Sequence, residues 1–456
     1  MREIWDPVGK VIAERQLWLA VLRAQADLGY PVAPEVLEDY AAAIGRVDLA
    51  AIDERERVTR HDVKARIEEF NALAGHERIH LAMTSRDLTE NVEQMQVRRS
   101  LLLIRLKAVA ALARLAELAL AHAETPLVAR THNVPAAPTT LGRRFAGTAE
   151  ELLRGVRRLD ALLADYPLRG LLGPVGTGQD MLTLLGGDPA AFTSLQQRVR
   201  EYLGFPTAWL ATGQVYPRSL DADAVATLLL IAAPASSFAM TMRLMSGADL
   251  VSEGVASGQV GSSAMPHKAN ARSCERINGL TVVLRGYAGM TAELAGGQWN
   301  EGDVACSVVR RVALPGAFLA LDGLLETFLT VLDELVVFEP VIAAEVAREL
   351  PFLATSAILT AAVAAGAGRE QAHRVIGEHA RRAAASRRSG EPFNLIAALA
   401  ADPVLGCDRA TVETLISDPL RLTGVAGTQL AGVCAAIAEL AAADPRAAAY
   451  RPGAIR

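Results

Sequence analysis

SGQVGSSAMPHKANARSCERIN, residues 257–278, is unlike the apolar helices that fill most of the chain. Gly258 and Gly261 bracket a short polar segment, and glycine frees the backbone where a chain must bend or approach a ligand closely. Ser262 and Ser263 follow, then Met265-Pro266, Lys268 and Asn270. Proline disfavours a helical residue before it, so helix is expected to resume only around Asn270–Arg276. A loop carrying two hydroxyls and an ammonium is therefore set among helices. Taken alone, a Gly-Ser-Ser segment reads first as a linker between helices; the complete string is what carries chemistry.

The surrounding sequence points to an all-α fold. The 456 residues are half apolar and 5% aromatic, a balance that favours helices over β-sandwiches. Ile12–Leu28 and Val63–Ala74 are helical candidates, and the polar passage His76–Asn91 is rich in cap and turn formers. Long helices are expected over Val97–Ala123, Leu141–Ala164, Leu220–Ser246, Ile277–Gly296 and Val308–Val337. Pro167–Gly187 reads as an irregular loop, and no strand-like alternation of useful length is evident. Leu350-Pro351 reads as a break, followed by shorter helices including Arg369–Ala385 and a polar turn at Ser386–Pro392. The composition divides into 1–95, 96–340 and 341–456: a small helical domain, a central long-helix bundle bearing the serine loop, and a C-terminal helical domain. Helices of this length, apolar on more than one face, need several neighbours. One copy is not expected to cover them, so an oligomer is.

Composition also sets function classes aside. The net charge of −5, without a basic stripe, argues against nucleic acid as a partner. Four cysteines, Cys274, Cys306, Cys407 and Cys434, lack paired metal spacing and suit reduced thiols in a cytoplasm. The first residues lack the apolar core of a signal peptide. Ala224–Met242 contains no charge and is long enough to span a membrane. Pro234, Ser236, Ser237 and Thr241 dilute it, however, and the reading preferred is a helix at the centre of a bundle.

Four polar clusters interrupt the apolar pattern: Arg60-His61-Asp62; His80 with Thr84-Ser85; Arg130-Thr131-His132-Asn133; and the serine loop. Each has a plain alternative. His61 can be a surface histidine paired with Asp62. His76 and His80 stand four apart, as metal ligands on a helix do, but no third ligand is evident and Arg78 opposes a cation, so no metal is expected. Thr131-His132 can be a capped turn. Gly173–Gly178 is rich in glycine like a phosphate loop, yet no strand precedes it and no Lys-Ser/Thr follows.

The string Gly261–Asn270 resembles the signature of the fumarase/aspartase superfamily, with seven fixed identities in ten positions. His267 and Glu275-Arg276 narrow the resemblance to the adenylosuccinate lyase family. So do Arg60-His61-Asp62, His80 with Thr84-Ser85, Arg130-Thr131-His132 with Pro138–Gly142, Ser307 with Arg311, and Gly366–His373. The resemblance spans nearly the whole chain. It implies the three-domain superfamily fold, a homotetramer with each site built from several subunits, and β-elimination of fumarate from a succinyl nucleotide without a cofactor. By resemblance Ser262 is the base, with Ser263 beside it, and Lys268 and loop amides stabilise its alkoxide. His132 is the general acid, since imidazole holds and gives a proton near neutral pH. Glu275 orients a histidine. Thr84, Ser85, Lys268 and Asn270 surround the succinyl carboxylate, with Thr131, Arg60, His61, Asp62, His80 and Gln214 as further substrate contacts. Arg276, Ser307 and Arg311 hold the nucleotide end, where guanidinium suits phosphate.

Two departures from the family pattern bear on the substrate. An Arg-Tyr pair that precedes the Ile-Trp element in relatives is not reached by this sequence, which begins shortly before Ile4-Trp5. Gly302 stands where many relatives carry arginine. Rival readings are a superfamily lyase for another N-succinyl substrate and a non-catalytic protein on the same fold. Retention of Ser262, Lys268 and His132 argues against the latter.

Overall fold

The computed structural model describes residues 1–254, 265 and 268–455. The described chain is predominantly helical, and it falls into two units, each assembled from three separate segments. The first comprises Met1–Ala108, Arg154–Ala233 and Arg276–Glu326; the second comprises Val109–Leu153, Pro234–Glu275 and Thr327–Arg456. Every boundary except the termini falls inside one of the five longest helices: Ser85–Ala121, Leu141–Ala164, Ser219–Ser246, Arg272–Leu294 and Cys306–Glu334.

In the first unit, helix Pro7–Asp27 starts where the Asp6 carboxylate accepts from the Gly9 N–H, with proline at the first helical position. Its Trp18 is 1% exposed and stacks on Phe70 of helix Asp62–Ala74, ring centroids 6.1 Å apart. Arg15, also buried, donates to Glu69 at 2.5 Å and to the Ala43 and Ile44 carbonyls. Helix Ser85–Ala121 begins well before the expected Val97, because Thr84 caps it: the Thr84 N–H and hydroxyl both donate to Asp87 Oδ2, at 2.8 and 3.3 Å. The irregular loop expected over Pro167–Gly187 contains a helix, Gln179–Leu184, and a short strand, Pro167–Leu168, parallel to Thr207–Ala208.

The second unit corrects two expectations. A β-hairpin, Pro126–Thr131 with Val134–Thr140, stands where no strand was expected, its register shifted between Ala129 and Arg130. Pro135 and Pro138 mask it in the sequence, yet a two-stranded ribbon offers edge positions that need no N–H from proline. Pro351 does not break the chain; it lies inside helix Glu339–Leu353. The second unit's cores include the contact of Phe145 with Phe238 and Phe238 with Phe328, and a cluster built on Ile358, Leu399 and Val412. Among the described residues, four stretches are long and apolar enough to cross a membrane by length and composition alone, Ser219–Ser246 among them; 56% of its apolar window is buried within this one chain.

Candidate active site

In the first unit the expected site residues gather around two capped helix starts. Arg60 closes helix Leu49–Thr59 in a left-handed conformation, φ 51°, and is exposed. His61 caps the next helix: its Nδ1 accepts from the Lys64 N–H at 3.2 Å. Asp62 pairs with Arg66 at 3.1 Å rather than closely with His61, which lies 3.9 Å away. Burial would raise the Asp62 pKa, but Arg66 and the Val63 N–H outweigh it and hold the carboxyl below its ordinary value. His80 is left-handed, φ 62°, and its Nδ1 accepts from the Trp18 indole at 3.0 Å. The charges of Asp87 and His61 are both felt at His80, so these clusters are neighbours. His76 turns to Asp39 at 2.8 Å, so the two histidines four apart engage separate partners.

A buried arginine joins this group to Gln214. Arg169 and Asp87, both 1% exposed or less, pair at 2.6 Å. The same guanidinium donates to the carbonyls of Gly170, Gly173 and Gly213. Gly213 must be glycine, since an added Cβ would stand 2.3 Å from the Glu301 carbonyl oxygen. The next residue, Gln214, donates its N–H to that same carbonyl at 2.6 Å. Thus Thr84, Ser85 and Gln214 hang from one Asp87–Arg169 hub. Ser307 opens helix Cys306–Glu334, with Arg311 exposed one turn on; Arg276 is exposed on helix Arg272–Leu294. Among the described residues no hydrogen bond ties these three to the Thr84 group.

In the second unit Thr131 and Val134 are paired, leaving His132-Asn133 as a two-residue turn with φ 50° and 62°. Both central residues being left-handed is the type I′ geometry that matches strand twist, and it projects His132, exposed, from the tip. Arg130 locks this turn: it donates to the Asn133 carbonyl at 3.3 Å and to the buried Glu345 carboxylate. Ser262, Ser263, Pro266 and His267 lie outside the described residues. Lys268 is exposed, Asn270 half-buried, and helix resumes at Arg272 as expected. Glu275 is exposed and, among the described residues, faces Arg243 at 3.8 Å; His267, the histidine nearest to it in sequence, lies outside the described residues.

The lyase family matches residues 11–286, and the family described as adenylosuccinate lyase C-terminus matches residues 351–433. The adenylosuccinate lyase of Saccharomyces cerevisiae is 36% identical over 79% of this chain and 76% of its own length. That of Schistosoma mansoni is 33% identical, over 82% and 79%.

The chain belongs to the adenylosuccinate lyase family.

It is a C–N lyase with the all-α fumarase/aspartase fold. Among solved structures, the 3-carboxy-cis,cis-muconate lactonizing enzyme of Pseudomonas putida superposes with a TM-score of 0.82 over 96% of each chain, at 22% identity, and shares that fold.

Sequence reasoning missed the residues of this lyase that hold the site's frame. Glu90, Arg218, Asp221 and Arg310 are each 2% exposed or less. Arg218 meets Glu90 at 2.8 Å, and Arg310 meets Asp221 at 2.7 Å while also engaging Glu93 and the Tyr216 hydroxyl. Burial alone would raise the Glu90 pKa; the two guanidinium groups overcome it and hold the carboxyl below its ordinary value. Arg310 thus faces inward and Arg311 outward on one helix. The available signal was Asp87, Glu90, Asn91 and Gln94: polar residues three and four apart that share one face of a helix and are all buried. Glu253 was missed too. Its carboxylate accepts from the Ser273 and Cys274 N–H groups, at 2.9 and 3.0 Å, and so caps the helix that follows the serine loop. Gly302 has a local cause: its φ is 104°, and a Cβ there would stand 2.6 Å from Val215 Cγ2.

Proposed function

We propose that this lyase eliminates fumarate from adenylosuccinate, leaving AMP, and from the succinyl-carboxamide ribotide of purine biosynthesis, leaving the carboxamide. The observation that carries the reading is the pairing of the complete signature Gly261–Asn270 with a histidine fixed at a rigid hairpin tip. Ser262, as alkoxide, removes the proton on the carbon beside the succinyl carboxylate, and the electron pair passes into that carboxylate. As the C–N bond breaks, His132 gives a proton to the departing nitrogen. Each positioned proton transfer contributes roughly 10²–10⁴ in rate. Thr84, Ser85, Lys268 and Asn270 supply donors to the charged intermediate, while Ser307, Arg276 and Arg311 supply the anion-binding end.

The active form in this proposal is a homotetramer in the cytoplasm, with sites shared between copies, built on the three-domain division 1–95, 96–340 and 341–456. Support comes from helix Arg272–Leu294. Within the first unit it buries the stripe Ile277, Thr281, Leu284 and Thr291, and leaves Val282, Val283, Gly286 and Met290 exposed on another face. Val308 (73% exposed), Val312 and Leu319 do the same on helix Cys306–Glu334. Two apolar faces on one helix, with one uncovered, are what a second copy would cover in this proposal. Four free cysteines accord with a reducing compartment. Neither nucleic acid nor membrane is among the proposed partners.

The test is fumarate release by the purified enzyme from adenylosuccinate and from other N-succinyl amines. Turnover of adenylosuccinate is expected. Turnover confined to a succinyl amine without phosphate favours the second reading, for which the observation is Gly302 in place of an arginine.

A further inference from the structure

The environment of His80 determines which of its nitrogens carries the proton. An indole N–H can only donate, and the Trp18 N–H points at His80 Nδ1 from 3.0 Å. Nδ1 must therefore be the unprotonated, accepting nitrogen, and the ring's proton is on Nε2. The arrangement is held firmly. Trp18 is 1% exposed, stacks on Phe70, and meets His80 edge-on at 80°. Phe70 is in turn packed against Tyr40, ring centroids 5.0 Å apart, and lies under the Arg15 guanidinium, 4.8 Å from the ring centroid. His80 and Ala82 are both left-handed without being glycine, a cost that folds tolerate where a segment must be held in one shape. Among the described residues His80 Nε2 has no hydrogen-bond partner, and His80 is half-buried.

We propose that Trp18 is a positioning residue that fixes His80 as the Nε2–H tautomer, so that His80 serves the reaction as a neutral donor to a substrate oxygen and delivers no proton. The ionisable groups facing it agree. Burial pushes the His80 pKa down to about 4; Asp87 opposes and His61 reinforces the shift, leaving a neutral ring throughout the working range. A neutral imidazole N–H is a serviceable hydrogen-bond donor and a very weak acid, so proton delivery falls to His132. The inference rests on the reading of His80 as a substrate contact, but its tautomer half stands independently.

Solid-state ¹⁵N NMR of histidine-labelled enzyme, with His80 assigned by its loss in His80→Gln, tests the tautomer without substrate. An unprotonated Nδ1 and a protonated Nε2 are expected, unchanged from pH 8 to pH 5.5; a protonated Nδ1, or a doubly protonated ring in that range, overturns the proposal. Trp18→Phe keeps the ring stacking and removes the donor. It is expected to give a mixture of tautomers and, from one lost hydrogen bond, about a five- to tenfold fall in kcat/KM. His80→Gln retains an amide donor near the position of Nε2 and is expected to keep kcat within about tenfold of the parent. A loss on the scale of a proton-transfer group, about 10²–10⁴-fold, means that His80 moves a proton and refutes the donor role. If the parent enzyme does not turn over adenylosuccinate while the NMR result is as expected, the substrate reading fails and the tautomer assignment stands.

Discussion

Two sets of charged groups, one in each unit, are used in opposite ways. In the first, Arg218, Arg310, Glu90 and Asp221 close on one another with side chains no more than 1% exposed, and Arg169 closes on Asp87 likewise. In the second, His132, Lys268 and Glu275 are exposed, and what is rigid is the backbone beneath them: a two-residue turn, a carboxylate cap and a carbonyl held by Arg130. Buried pairs resist movement because separating them leaves a desolvated charge. Exposed groups on a stiff support can accept and release protons. The contrast separates residues that hold the frame from those proposed to act.

Substitutions at both kinds of residue sharpen or break that contrast. His132→Gln, on the acting side, is expected to lower kcat about 10²–10⁴-fold while leaving the melting temperature near that of the parent; enzyme assays beside thermal melts check this. Glu90→Gln, on the frame side, leaves Arg218 and Arg310 short of a counter-charge. A loss of about 3–5 kcal/mol in urea-unfolding stability is expected, and a Glu90→Gln protein as stable as the parent would break the distinction. Gly302→Ala forces a side chain into φ 104° against Val215. It is expected to cost at least about 1 kcal/mol, with KM rising because Glu301 supports Gln214.

A smaller, pH-dependent effect belongs to Glu349 in the second unit. Arg387 and Arg348 hold its pKa down to about 2 against the opposing effect of burial, from an ordinary value of 4.5. A carboxyl depressed in the folded state contributes stability that is complete above pH 4.5 and lost as pH falls toward 2. Thermal melts from pH 5 to pH 2 should therefore fall less steeply for Glu349→Gln than for the parent.

The helical fold was legible because long apolar runs have few alternatives, and Leu141–Ala164 is helix over the residues expected. The hairpin was not, since Pro135 and Pro138 suppress the alternation by which strands are recognised. The candidate site residues were legible as polar interruptions: His132 in the turn and Thr131 beside it, Thr84-Ser85 at a cap. The frame was not, because Glu90, Arg218 and Arg310 on helices or at their starts read as solvated charge until packing brings opposite signs together. Glu275 was legible as a charged neighbour of the loop, and among the described residues it faces Arg243.

The most direct test of the account mixes two inactive proteins, His132→Gln and Ser262→Ala, under conditions that let subunits exchange. If the hairpin histidine of one copy and the serine loop of another serve the same succinyl group, hybrid assemblies contain some sites with both groups intact, and fumarate release returns. Hybrids that form, as mass spectrometry can verify, yet remain inactive would contradict it.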